Sequence, residues 1–189
     1  ENALKSKELH QKALSIDSTD FRSWQNLIIS ESYLDENEAV RDHAVSALKY
    51  YPMQPVFYWY AGVASAMLEN NEEAITYLDK GRRYTSDKLQ MAEFDAFLGD
   101  LYHRQGDDDK AFDAYDRTLR NNPDNALVLN NYAYYLSLRG ERLEEALQMA
   151  IKANELMPDN VYYTDTYAWV LYKLGRYKEA EKMMKKCLG

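Results

Sequence analysis

The chain has 189 residues, 23 of them basic and 31 acidic, a net charge of −8 and a single cysteine. That balance lacks the clustered Lys and Arg that a nucleic-acid backbone demands, and one cysteine excludes an internal disulfide. The charge suits a neutral, apolar or basic partner.

Small residues return at a near-constant interval. Ala13, Ala47, Gly81, Thr118, Ala153 and Cys187 are separated by steps of 34, 34, 37, 35 and 34. Ala74, Ala111, Ala146 and Ala180 form a second series, Gly62, Gly99, Ala133 and Ala168 a third, and Gly106, Gly140 and Gly175 a fourth. Series locked to one period predict an array of repeats, which has no single central core.

In chain order, residues 1–17 read as a second helix whose hairpin mate is missing. Residues 20–53 make the first full repeat through Trp24, Leu27, Ala47 and Pro52, with Ile28 standing where a small residue is usual. His10 and His43 fall on packing positions of second helices. Tyr50 to Leu68 carries no charge over 19 positions, a length that would span a membrane. Pro52, Gln54, Pro55 and Ser65 interrupt it, and Gly62 and Ala74 keep the repeat register. It therefore reads as the end of one helix, a turn and a buried next helix. Residues 55–87 keep Gly62, Ala74 and Leu78 but lack a turn glycine and a closing proline.

Residues 91–124 show the unit most plainly. Asp95, Leu98, Gly99 and Tyr102 lie at helical spacing, and Gly106 breaks the helix. Asp107, Asp108 and Asp109 then open a second helix, where carboxylates suit the amide dipole. Ala111, Tyr115, Thr118 and Leu119 give its inward stripe, and Asn121, Asn122 and Pro123 end it. Residues 125–159 repeat the pattern with one extra residue in the turn, and residues 160–189 repeat it again. Pro-Asp-Asn occurs at 123–125 and at 158–160: proline stops one helix, and Asp or Asn caps the next. Glu72-Glu73 and Glu144-Glu145 sit at the starts of second helices and read as dipole-matching, solvated charges. Cys187 reads as a packing residue. Met184 and Leu188 are expected to be partly uncovered at the end of the array, so the natural protein is expected to extend N-terminally and the chain to pair through its ends.

The stretch FDAFLGDLYHRQGDDDKAFDAYDRTLRNNP resembles the tetratricopeptide repeat through Leu98, Gly99, Tyr102, Gly106, Ala111, Tyr115 and Pro123, with Thr118 for the usual alanine. The fourth repeat matches through Tyr132, Ala133, Leu136, Gly140, Ala146, Ala153 and Pro158, and the fifth through Ala168, Gly175, Tyr177 and Ala180. The segments NNYAYYLSLRGERLEEAL and WVLYKLGRYKEA also resemble bacterial envelope-associated members. The resemblance implies an all-α fold, a right-handed α–α superhelix of five helix-turn-helix repeats plus an N-terminal helix. It also implies a bacterial source and leaves a periplasmic, membrane-tethered or cytoplasmic setting open.

In this family the first helices line a concave groove. The corresponding positions here hold Gln25, Asn26, Ile29 and Tyr33, then Trp59, Tyr60, Val63 and Met67, then Ala96, Phe97, Asp100, His103 and Arg104. The fourth and fifth repeats supply Asn130, Asn131, Tyr134 and Leu138, then Asp165, Thr166, Trp169, Tyr172 and Lys173. Rings with neighbouring amides and few charges suit peptide contacts. The candidate binding residues are Trp59, Tyr60, Phe97, His103, Asn130, Tyr134, Trp169 and Tyr172. The family's clamp for chaperone carboxylates is missing, since Gln25, Ile29 and Phe97 replace its polar and basic residues.

The sequence lacks GxGxxG, a phosphate loop and HExxH, and none of the three histidines has a second ligand at metal spacing. The expectation is a non-catalytic protein- or peptide-binding scaffold without cofactor, metal, nucleic acid or membrane insertion. The alternatives are a self-associating structural module, with homo-oligomers formed through uncapped ends, and a regulatory part of a larger enzyme.

Overall fold

The computed structural model of the chain describes residues 2–188, with side chains as far as Lys185. Its described residues form eleven helices and no strand. These are α1 (Asn2–Ile16), α2 (Phe21–Tyr33), α3 (Asn37–Ala47), α4 (Pro55–Met67), α5 (Asn71–Arg83), α6 (Lys88–Arg104), α7 (Asp108–Asn121), α8 (Ala126–Arg139), α9 (Leu143–Leu156), α10 (Val161–Lys173) and α11 (Tyr177–Leu188). The roles foreseen for Cys187 and Leu188 lie outside the described residues.

Two different devices start the helices. The even-numbered helices from α2 to α10 open on a capping side chain or on proline. Asp20 accepts from Ser23 N at 3.1 Å, Asp87 from Gln90 N at 2.8 Å, Asn125 from Val128 N at 3.1 Å and Asn160 from Tyr162 N at 3.0 Å. Helix α4 instead begins at Pro55, whose missing N–H would have had no intrahelical acceptor. Helices α3, α5 and α9 have no side-chain cap. Their first turns carry Glu38, the pair Glu72 and Glu73, and the pair Glu144 and Glu145, which stabilise the exposed amide ends by charge.

The turn inside each hairpin needs one left-handed residue, and the chain supplies it periodically. Gly106, Gly140 and Gly175 have φ of 79°, 71° and 76°. Where glycine is lacking, Asp35 and Glu69 take φ of 55° and 63° and absorb the strain. Arg142 is the extra residue of the fourth turn and is also left-handed, at φ 47°. It is held by a bidentate pair with Glu145, while its guanidinium lies 5.3 Å from the Tyr132 ring.

The chain divides into two compact units, residues 1–107 and 108–189. In the first, each of α1 to α5 packs on the next. Its core joins Trp24, Ile28, Val40, Ala44, Phe57 and Ala61. Ile28, in a usually small position, is wholly buried there. The small positions are required by close approach. A Cβ on Gly62 would lie 2.6 Å from Leu78 Cγ, and one on Gly81 2.6 Å from Tyr58 Cβ. Helix α1 buries no residue fully. Polar contacts help hold it: Lys7 reaches Glu36 and the buried Glu31, Ser30 Oγ donates to Ser6 Oγ at 2.8 Å, and His10 Nδ1 lies 3.3 Å from Ser23 Oγ.

In the second unit α7 packs on α8, α8 on α9, α9 on α10 and α10 on α11, while α8 also lies against α10. Tyr115 and Tyr132 are fully buried with ring centroids 5.5 Å apart, so part of the tyrosine content is ordinary core. No helix among the described residues is long and apolar enough to cross a membrane, and the uncharged stretch ends in the thirteen-residue α4.

Candidate functional site

In the first unit, α4 presents Trp59 and Tyr60 and α6 presents Phe97 and His103. All four are half-buried. Trp59 is enclosed by rings: Phe94 meets it edge-on at 5.3 Å and Phe97 at 5.6 Å. Two of the candidate rings are thus brought together, and they spend much of their area on each other. Phe94 is a participant that groove spacing alone did not mark, although it lies one turn before Phe97 on the same helix. Burial raises the Tyr60 hydroxyl above its ordinary value, with Tyr33 adding to the effect. Tyr60 therefore stays a neutral donor at physiological pH. Tyr33 and Met67, on the same faces of α2 and α4, are the open apolar groups, 79% and 61% exposed.

The second unit offers a freer surface on the adjacent helices α8 and α10. Tyr134, Trp169 and Tyr172 are 39%, 37% and 53% exposed. Trp169 stacks on Tyr172 at 5.6 Å and 22°, and the Tyr172 ring lies 5.4 Å from Tyr177 at the start of α11. The Lys173 ammonium lies 5.7 Å from the centre of the Trp169 ring. Asn130 behaves differently from its neighbours. It is buried, its amide donates to Asn131 Oδ1 at 3.3 Å, and among the described residues its own Oδ1 accepts no hydrogen bond. Asn131 is the more accessible amide of the two. Tyr177 reads in the sequence as a repeat-matching residue and not as a groove residue, because it lies on a second helix, which the groove positions do not include.

Several other polar groups are engaged structurally. The wholly buried Glu31 accepts from His43 Nδ1 at 2.8 Å, which ties α2 to α3. Glu73 accepts from Ser65 Oγ at 3.0 Å, and Glu145 is paired with Arg142. No group of three or more His, Cys, Asp or Glu among the described residues is placed to hold a metal ion.

Comparison with known proteins agrees with this architecture. Tetratricopeptide repeat family models match residues 82–126, 114–148 and 166–189. The TPR repeat-containing protein PA4667 of Pseudomonas aeruginosa is 36% identical over 66 residues, covering 35% of this chain and 11% of that protein. The peroxisomal targeting signal receptor of Saccharomyces cerevisiae is 31% identical over 117 residues, covering 58% of this chain and 19% of the receptor. The matched stretches thus span a fifth or less of these relatives. Among solved structures, YrrB, a TPR protein with an unusual peptide-binding site, aligns with a TM-score of 0.78 at 19% identity over 96% of this chain and 92% of its own. MamA of Desulfovibrio magneticus RS-1 aligns with a TM-score of 0.75 at 17% identity, over 91% and 94% of the two chains. At these identities the likeness concerns the fold.

Proposed function

Because this chain is a tetratricopeptide repeat protein, we infer that it is a non-catalytic scaffold that binds a protein or peptide on the faces of its first helices. Repeat arrays of this class serve in general as protein-interaction scaffolds, and their extended surfaces are the part used. The observation that carries the reading is the set of open rings on α8 and α10. Tyr134, Trp169 and Tyr172 stay more than one-third exposed although the core beside them is closed by Tyr132, Ala133, Leu136, Ala168 and Leu171. Packing does not need their exposed faces, and rings of this kind bury large area at low conformational cost when a partner arrives. The half-buried Asn131 amide supplies hydrogen bonds beside the rings.

The test is a binding screen of the full chain against an immobilised library of unrelated peptides. Peptides captured by wild type should bind Trp169→Ala and Tyr134→Ala at least tenfold more weakly, with the helical circular dichroism unchanged. Undiminished capture by both variants would move the binding surface off these faces.

A further inference from the structure

We propose that the cleft between α10 and α11 selects a cationic side chain, an arginine or lysine of a basic peptide, and seats it on Trp169. The proposal rests on the reading of the first-helix faces as a peptide-binding surface, and it names the chemistry that one stretch of that surface selects.

The cleft has a volume of about 390 Å³, and its walls include Trp169, Tyr172, Tyr177 and Met184. Two carboxylates, Asp165 on α10 and Glu181 on α11, line it as well. Rings arranged in succession present electron-rich faces, and a cation over such a face is attracted by the ring quadrupole. The carboxylates set the sign. Asp165 is exposed and forms no ion pair among the described residues. Among the described residues Glu181 pairs with Lys185 on its own helix, at 2.6 Å, and both partners are about two-thirds or more exposed. An exposed pair of this kind is easily exchanged for another cation. An anionic ligand would meet two like charges here, and a purely apolar one would desolvate them without compensation.

A second observation points the same way. The chain already places an ammonium on this ring, since Lys173 lies 5.7 Å from the Trp169 centroid. Lys173 follows Trp169 by one helical turn and acts as an internal stand-in for the ligand's charge. A guanidinium or ammonium brought by a peptide would compete with it for the same ring. Removing Lys173 should therefore strengthen binding, whereas in a groove built for acidic peptides its loss would weaken it. The acidity of the chain as a whole favours the approach of a basic partner.

The experiment is calorimetric titration of the full chain with two decapeptides that alternate alanine with arginine in one and with glutamate in the other. The arginine peptide should bind. Trp169→Ala and Asp165→Asn should each weaken it at least fivefold, and Lys173→Met should tighten it at least twofold. Lys80→Met makes the same charge change in the other unit and should leave affinity unchanged, which separates ring competition from net charge. Asp165 and Lys173 are exposed, so their variants retain the fold even if Trp169→Ala loosens it. Equal binding of both peptides, weakened in both by Trp169→Ala, would overturn the charge selection and leave the peptide-binding reading standing. Arginine-peptide affinity indifferent to Trp169, Asp165 and Lys173, or no binding of that peptide, would overturn the cleft itself. Loss of all ring-dependent capture in the peptide library would remove the broader reading instead.

Discussion

Arg82 on α5 donates through Nε to Asp95 on α6 at 2.6 Å, and Asp95 is wholly buried. Aspartate stands here at a packing position of a first helix, so the guanidinium supplies the compensation that a ring would have made unnecessary. Losing the guanidinium takes a charge-assisted donor from a wholly buried carboxylate, which costs more than the pair contributes. Arg82→Ala should destabilise the chain by about 3 kcal/mol. The double change Arg82→Met with Asp95→Leu should recover most of that. Urea midpoints of the three proteins check it, and an Arg82→Ala midpoint equal to wild type would remove the pair from the stability of α5 and α6.

Glu69 holds the left-handed turn between α4 and α5 at φ 63° without the freedom of glycine. The strain of an L-residue there is roughly 1–2 kcal/mol, and glycine returns roughly 0.5–1 of it through a more flexible unfolded chain. Glu69→Gly should therefore stabilise by about 0.5–1 kcal/mol. Asp35→Gly should give less, because aspartate tolerates this conformation better. Gly175→Ala should lose about 1 kcal/mol for the converse reason, with open space around its Cβ and only the backbone at fault. Thermal melts that rank these three in another order would show that side-chain contacts, not backbone strain, govern the turns.

The same turns show what the sequence could reveal. The repeat period was legible because Gly106, Gly140 and Gly175 mark it, and the helix starts were legible at Asn125 and Asn160. Asp35 and Glu69 were not, since nothing local to an acidic residue announces a left-handed backbone. The candidate site was legible as chemistry but less so as exposure. Trp59 and Trp169 both fall on groove positions, yet Phe94 and Phe97 close on the first while the second stays open. Asn130 is turned inward beside an accessible Asn131, a difference that one residue of helical phase decides. Tyr177 joins the rings from a second helix by tertiary approach alone.

Asp20 caps α2, and hydrogen bonds from Ser23 and from the Arg22 amide hold its carboxyl below the ordinary value of 3.8. Its folded value lies under the unfolded one, so its contribution is complete above the unfolded value and is lost as pH falls through the folded value. Asp20→Asn keeps a capping oxygen but has no charge to lose. Wild type should melt above Asp20→Asn at neutral pH, and the gap should close below about pH 4. A gap that stays constant from pH 7 to pH 2 would show that the charge plays no part in the cap.

Trp59 and Trp169 should respond to truncation in opposite ways. Trp59 is half-buried and meets two rings edge-on across the α4–α6 space, so alanine leaves a cavity lined by Phe94 and Phe97. Its removal should cost about 2–3 kcal/mol of stability, the lower range for a large core truncation plus the lost ring pairs. Trp169 stacks on the exposed Tyr172 and carries Lys173, contacts that solvent replaces at little cost. Its removal should cost about 1 kcal/mol or less. Binding should invert the order. Trp169→Ala should lower peptide affinity at least tenfold at full helicity. Trp59→Ala should lower it in proportion to the fraction unfolded, and cooling or an osmolyte that restores folding should restore capture. Urea denaturation paired with peptide titration at two temperatures separates the two effects. Trp59→Ala folding like wild type while losing affinity would make Trp59 a contact residue, and Trp169→Ala unfolding first would make Trp169 a core one.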